Sequence, residues 1–389
     1  EVAEEMVRRG HEILVLTSTF GQEKHPGSDP KWVRRELFLE MEISQLKNAL
    51  LFFTSRKARE SENLKRLARA IQDFSPDAIL AWGMWNFPRS LPALAEKLMP
   101  AKIVYYMGDY WPTFPGQFKN YWDASARNNV TRLLKTALRP FALWSLNQEE
   151  RPQLELRQVI FPSEFLQAEF TRLGIIPQNA TIVFGAVDTV PYIKEPDCRD
   201  EDDVLSLLFV GRLESAKGVH TAIQALGILA REPGIPNLKL TIVGSGDPAY
   251  EAQLHELAAS ENVSSQVIFV PAQPAEALPA IYHKADIFLF TSVWPEPFGR
   301  VIVEAMASGL PVIGTPVGGA AEILIKDQTA LTFHPDDPED LSSQIKRLID
   351  FPSLRGQLGR AGREIAVSRY DLRRMASGIE TCLEQVTAE

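Results

Sequence analysis

The sequence predicts an α/β protein made of two doubly wound domains that face each other across a cleft. Three observations carry this expectation. Short apolar runs alternate with helical patterns along the whole chain, as in parallel sheets covered by helices on both faces. At mid-chain an acidic, proline-containing stretch, "KEPDCRDEDD" (194–203), breaks the pattern, and the alternation then restarts. The 389 residues exceed one typical core and suit two.

Taken in order, residues 1–9 read as a helix with acids in its early turns, closed by Gly10. The run "EILVLTS" (12–18) reads as a buried strand. A helix that feeds a strand should itself follow a strand in such a chain. The first domain is therefore expected to lack its opening strand, and the chain carries no initiator Met. Further strands are predicted at 77–82, 102–107, 157–161 and 180–184. A long insertion of helical character spans 30–76. This first domain is assigned 1–190, with a linker at 191–203. The second domain, 204–370, has predicted strands at 204–210, 238–243, 266–270, 286–291, 310–314 and 329–333. A last helix within 371–389 can pack on either domain.

Composition narrows the function. The net charge of −9 argues against a general nucleic-acid binder. Residues 1–190 hold 24 Lys/Arg against 22 Asp/Glu, and the rest hold 17 against 28, so the acidity lies in the second half. Two cysteines, Cys198 and Cys382, make no disulfide framework and no cysteine zinc site, which suits a reducing cytoplasm. No apolar run approaches the ~18 residues of a membrane span.

Chemistry gathers at predicted strand ends, where ligands bind in doubly wound sheets. After the first strand of the second domain comes "GRLESAKG" (211–218). Gly211 permits a tight turn, while Arg212 and Lys217 are cations suited to phosphate, and a pair of solvated surface cations is the plain alternative. The next strand ends in "VGSGD" (243–247), a turn that can approach a ligand. It is not a full dinucleotide fingerprint, because Ala249 stands where the third glycine would be. The stretch "WPEPFGRVIVEAMASG" (294–309) holds Glu296 between two prolines and Gly299 at the start of a helix. Glu304 lies little more than one turn into that helix. Helix-start amides offer donors to an anion or a polyol, and a carboxylate can accept from the hydroxyls of a ribose. Together these groups describe a nucleotide-diphosphate sugar.

The chain resembles the retaining glycosyltransferases of the GT-B fold, with two Rossmann-like domains, in the family 4 (group 1) type. "EPFGRVIVEAMASGLPVIGTPVGGAAEIL" (296–324) is similar to the family's E-x7-E signature with its following strand and Gly-Gly loop. "FVGRLESAKG" (209–218) is similar to its diphosphate loop, and "VIFPSEFLQAEF" with "FGAVD" (184–188) to the segment that ends its first domain. The resemblance implies that Glu304 binds the ribose and that Gly211, Arg212 and Lys217 hold the diphosphate. It implies that amides around Phe298, Gly299, Arg300 and Val301 hold the donor sugar or phosphate. Glu296 would contact the sugar, and the strand end at Val270 and Pro271 would line the base pocket. Arg212, Lys217 and Glu296 are the expected catalytic residues.

The family usually opens with a strand and a Gly-rich loop, and this sequence shows neither. Where many members carry a His after a first-domain strand, this chain reads "YYMGDYWP" (105–112), so Asp109 and Trp111 become the acceptor candidates. A turn residue is an equal reading of Asp109. Of the six tryptophans in the first domain, Trp111 and Trp122 are the better acceptor candidates, and the others are expected in the core. The expected reaction is metal-independent sugar transfer to an acceptor hydroxyl with retention, and no cofactor beyond the nucleotide sugar is implied. The one clear Asp-x-Asp, Asp200 and Asp202, sits in the linker, and the six histidines show no ligand spacing. A nucleotide-sugar epimerase on the same fold and an inactive binding subunit are the alternatives. Residues 46–72, with seven cations and two acids behind "LLFF" (50–53), allow peripheral contact with an anionic membrane, as at the inner face of a cell membrane, or simply a solvated helix face.

Overall fold

The computed structural model describes residues 1–21, 29–42, 48–124, 129–193 and 204–388. The expected linker falls almost wholly outside them, as do Cys198, Asp200 and Asp202. The chain forms two compact units. The first comprises Glu1–Phe161, Phe170–Thr181 and Ala376–Glu389; the second comprises Pro162–Glu169 and Ile182–Met375.

In the first unit, β1 (Val15–Ser18) pairs in parallel with β2 (Val33–Leu37) as a separate two-stranded sheet. A four-stranded sheet follows, in the order β3 (Ile79–Trp82), β4 (Ile103–Tyr106), β5 (Gln158–Phe161), β6 (Asn179–Ile182). Strands β4 and β5 are buried along their full length, as their apolar runs require in a sheet covered on both faces. Strand β2 lies inside the insertion read as helical. Its sequence, VRREL, is charged and shows no apolar alternation, and it pairs only with the short β1, so periodicity had nothing to detect.

The second unit is a six-stranded sheet: β7 (Val204–Val210), β8 (Asn237–Val243), β9 (Val267–Val270), β10 (Ile287–Phe290), β11 (Val312–Gly314) and β12 (Ala330–Thr332). All its pairings are parallel, and the spatial order is β12-β11-β10-β7-β8-β9. Alternate residues of β7 serve two cores. Leu207 and Phe209 pack with Ile223, Leu226 and Leu240 on one face; Leu208 and Val210 pack with Phe288, Ile302 and Val303 on the other. The order reverses between β7 and β10. A doubly wound sheet opens its ligand crevice at that switch point, outside the carboxyl ends of the strands.

The compact units divide the chain differently from the expected boundary at 190. Ser163 donates to the carbonyl of Pro297 (2.6 Å), and the amides of Glu164 and Phe165 donate to Glu322 (3.1 and 2.7 Å), which ties Pro162–Glu169 to the second unit. Val187 bridges to Asp371, and Thr189 Oγ1 donates to Asp371 (2.6 Å), so the second unit starts before 190 and runs past 370. The final helix, Leu372–Ala388, has its residues from Ala376 onward in the first unit. There Arg9 donates to Ser377 (2.9 Å) and Glu380 (2.7 Å).

Candidate functional site

The loops that follow β7 and β10 meet at the switch point. Main-chain and side-chain bonds lace them together: the Val293 amide donates to Ala216 O (3.0 Å), and Thr291 Oγ1 donates to Lys217 O (2.8 Å). Gly218 sits at φ +63°, and a Cβ there would overlap the carbonyl of Thr291, so only glycine lets the loops come this close.

This closeness joins two residues 79 positions apart. Lys217 Nζ donates to Glu296 Oε1, and Ser292 Oγ donates to the same oxygen (2.9 Å). The two charged side chains are only 17% and 14% exposed. Glu296 is also fixed through its backbone: its carbonyl accepts from the Gly319 amide (2.7 Å), in a bridge with Gly318. The Lys217 ammonium and the Glu296 carboxylate thus neutralise each other while keeping polar edges at the carboxyl end of the sheet.

Glu304 is nearly buried on the helix Arg300–Ala307, where a charge needs a partner. Tyr282 Oη donates to Glu304 Oε2 at 2.9 Å. Burial, and then the Glu304 charge, hold the Tyr282 phenol well above its usual range, so it stays protonated and keeps donating. The hydrogen bond fixes one carboxylate oxygen. Gly299, at φ +119°, precedes the helix and places no side chain over its first amides. Phe298 itself is core: its ring packs on Gly185, where any Cβ would collide with it, and on Tyr370. Only its backbone is available for the expected role, alongside those of Gly299, exposed Arg300 and half-buried Val301. Val270 ends β9 half-buried.

Arg212 stands apart from the Lys217 pair. It is 70% exposed and donates to Glu214 (2.9 Å), the geometry of a solvated surface cation. Gly211 packs under the ring of Phe209. The glycines of "VGSGD" have a structural reason of their own: a Cβ at Gly244 or Gly246 would strike the backbone of Gly211 or Leu213. They bring two protein loops together, and this accounts for them without a ligand. The sequence did not single out Ser292 or Tyr282. Their one signal is a hydroxyl next to the carboxyl end of β10 or in the helix before that strand.

In the first unit, Asp109 accepts from the Trp111 amide (2.8 Å), which is the turn role. Burial pushes its carboxyl pKa up. Trp111 is buried and lines a cavity of about 400 Å³ in this unit. Trp122 is fully buried against Phe52 and Phe118 (centroid distance 5.6 Å to Phe52), so its acceptor role is withdrawn. Conversely Trp82, Trp85 and Trp144, expected in the core, are exposed, and Trp85 lines the same cavity. Trp122 filled the apolar interior that its neighbours on two helices supply; Trp85 lies on the loop after β3.

One group of side chains among the described residues has metal-ligand spacing, His334, Asp337 and Asp340. Its hydrogen bonds have another purpose. Asp337 accepts from the Asp340 amide (2.9 Å) as the N-cap of the helix Pro338–Asp350, and Asp340 accepts from the backbone and ring of His334 (3.0 and 2.8 Å). No helix of the described residues is long and apolar enough to cross a membrane.

The fold and this site define a two-domain glycosyltransferase scaffold. Residues 1–190 match the model of Glycosyltransferase Family 4, and residues 196–365 match that of Glycosyl transferases group 1. With both halves accounted for, the chain belongs to the GT-B glycosyltransferases of group 1 and family 4. It is 32% identical over 186 residues to spore coat protein SA of Bacillus subtilis, a match covering 46% of this chain and 48% of that protein. It is 36% identical over 171 residues to glycogen synthase of Mycobacterium tuberculosis, covering 44% and 40%. The chain thus spans less than half the length of each of these relatives. The crystal structure of Anabaena Alr3699/HepE in complex with UDP-glucose shares the fold, with TM-score 0.66, 21% identity, and coverage of 94% of this chain and 88% of that one.

Proposed function

We propose that the protein transfers a sugar from a nucleotide-diphosphate sugar to an acceptor hydroxyl with retention at the anomeric carbon, without a metal ion. The observation that supports this most is the meeting of Lys217 and Glu296 at the switch point of a family-matched sheet, beside a helix preceded by Gly299. In this reading the donor's diphosphate takes the Lys217 ammonium, and Arg212 leaves Glu214 to join it. The Glu304 carboxylate accepts from the ribose hydroxyls. The amides from Phe298 to Val301, together with Glu296, orient the sugar. The bond from the anomeric carbon to the diphosphate oxygen breaks, and the acceptor oxygen bonds on the same face. The acceptor proton passes to the departing diphosphate oxygen. The chain's share is positioning and charge stabilisation.

A thermal-shift screen of UDP, ADP, GDP and their glucose conjugates tests the donor part. A ligand at 100 times its Kd stabilises the folded chain by about 2.7 kcal/mol. No shift with any of them would sink the proposal. Turnover is further expected to stay within twofold in excess EDTA, measured as nucleotide release that requires acceptor. Strict dependence on added Mg²⁺ or Mn²⁺ would remove the metal-free part.

Peripheral membrane contact through the first unit belongs to the same reading. The expected basic segment forms the helices Asn48–Thr54 and Arg56–Phe74, and several of its cations are already paired: Arg56 with Glu149, Arg59 with Glu42, Arg66 with Glu62. The support comes instead from an apolar face. Phe53 stacks on Phe141 (5.9 Å), which stacks on Trp144 (5.8 Å), and all three are exposed together with Leu50 and Leu133. Such rings suit the headgroup boundary. The protein is expected to co-sediment with anionic vesicles, and Phe141→Ser with Trp144→Ser to abolish this. A wild-type protein left in the supernatant ends the idea.

A further inference from the structure

The loops after β3 and β4 in the first unit line the cavity of about 400 Å³. Trp85 and Trp111 line it with flat rings, while the Asn63 amide is bonded at both ends to the backbone of Phe38 and the Gln117 amide donates to the carbonyl of Trp85. Four arginines also line it, and they are not alike. Arg56 grips Glu149 with two bonds (2.6 and 2.7 Å), and Arg59 donates to Glu42 (2.7 Å), so these two are neutralised. Arg89 donates to the carbonyl of Pro112 (3.1 Å), and Arg151 donates to the carbonyl of Phe114, two residues further on. Carbonyls satisfy donors and leave both guanidinium charges in place.

The pair is also costly. Arg89 Nε is buried with no hydrogen-bond partner. Burial, and then the positive charge of Arg151, lower the Arg89 pKa. Four carboxylates share the lining: Glu149 is neutralised by Arg56, Glu40 and Glu60 are held by neutral donors, and Glu150 follows Glu149. Glu96, whose charge reaches Arg89, accepts from Tyr105 Oη (2.8 Å) and from the amides of Glu155 and Leu156. Glu60 accepts from Ser90, and Glu40 accepts from the Gln117 amide (3.2 Å). Two adjacent cations with an orphaned buried donor are stabilised by an anion between them, because an oxyanion meets guanidinium forks with paired, charge-assisted bonds.

We propose that this cavity binds an anionic acceptor, a sugar or polyol carrying a phosphate or a carboxylate, with Arg89 and Arg151 on the anion and the rings of Trp85 and Trp111 beside the polyol. This rests on the glycosyltransferase reading for the word acceptor; the anion site stands on its own residues. Isothermal titration of the whole chain with glucose 6-phosphate, glucuronate, glucose and inorganic phosphate tests it, with nucleotide diphosphate titrated into the same samples. Glucose 6-phosphate or glucuronate is expected to bind at least tenfold tighter than glucose, and whichever binds tighter names the anion. Inorganic phosphate is expected to compete with it. Arg89→Gln and Arg151→Gln should each remove that preference and leave nucleotide affinity within twofold. Equal affinity for all the sugars, or a preference that survives both substitutions, overturns the proposal. Should Arg89→Gln fail to fold, Arg151→Gln decides, because that side chain sits at the exposed rim. Failure of the transferase reading looks different: no nucleotide binds, while the anion preference remains.

Discussion

Lys217→Ala is expected to lower kcat by about 100- to 1,000-fold, the loss that follows removal of one preorganised charge or donor from the developing charge of a transition state. The reason is location. Lys217 ends a short turn after β7, its side chain is only 17% exposed, and its ammonium is held by Glu296 at the carboxyl end of the sheet. A diphosphate arriving there meets a cation that is already desolvated and aimed. Donor KM should change far less than kcat, since the charge on the diphosphate grows as the bond to the sugar breaks. Arg212→Ala is expected to act in the same direction with a smaller loss, because Arg212 is solvated and already engaged with Glu214. Steady-state kinetics with the donor found by thermal shift makes the measurement. Turnover of Lys217→Ala within threefold of the wild type would remove Lys217 from the reaction.

The second large effect is on stability. Gly218→Ala is expected to destabilise the second unit by roughly 3–5 kcal/mol, which combines the left-handed backbone cost with a steric clash. Gly218 lies at φ +63°, and the new methyl group would overlap the carbonyl oxygen of Thr291, the residue whose hydroxyl bonds Lys217 O. At about 2–4 °C per kcal/mol for a domain of this size, the melting temperature should fall by roughly 6–20 °C. Gly234→Ala is the control. That glycine has φ +82° in the same unit, and a Cβ there meets nothing within 4 Å. It should cost only the backbone term, about 1–2 kcal/mol. Equal melting of the two variants in calorimetry would show that the loop contact does not matter.

The two glutamates of "WPEPFGRVIVEAMASG" show how far sequence reaches. Glu304 was legible because helical spacing fixes its distance from Gly299, and both positions follow from local geometry. That Glu296 joins Lys217 was not legible. The partners lie 79 residues apart, on the loops of two strands that the sheet order makes neighbours. Periodicity names strands but not their order. The same limit explains Trp122 and Trp85: both lie among aromatic, proline-rich stretches, and only packing decided that one fills the core against Phe52 while the other faces a cavity. Strand β2 escaped for a different reason, since its charged sequence carries no period-two signal.

By itself the sequence determined the alternating α/β pattern, ten of the strands of the two larger sheets, the glycines and carboxylates at the strand ends, and the family those residues resemble. These are local properties: burial on both faces of a parallel strand writes an apolar run, and a loop that must turn sharply writes glycine. The tertiary structure decided the rest. It set where the second unit begins, tied Lys217 to Glu296 and Tyr282 to Glu304, and set Arg89 and Arg151 on the carbonyls of Pro112 and Phe114. Those facts depend on which distant segments become neighbours, and the free energy that chooses them is spread over a whole core rather than written in any one stretch of chain.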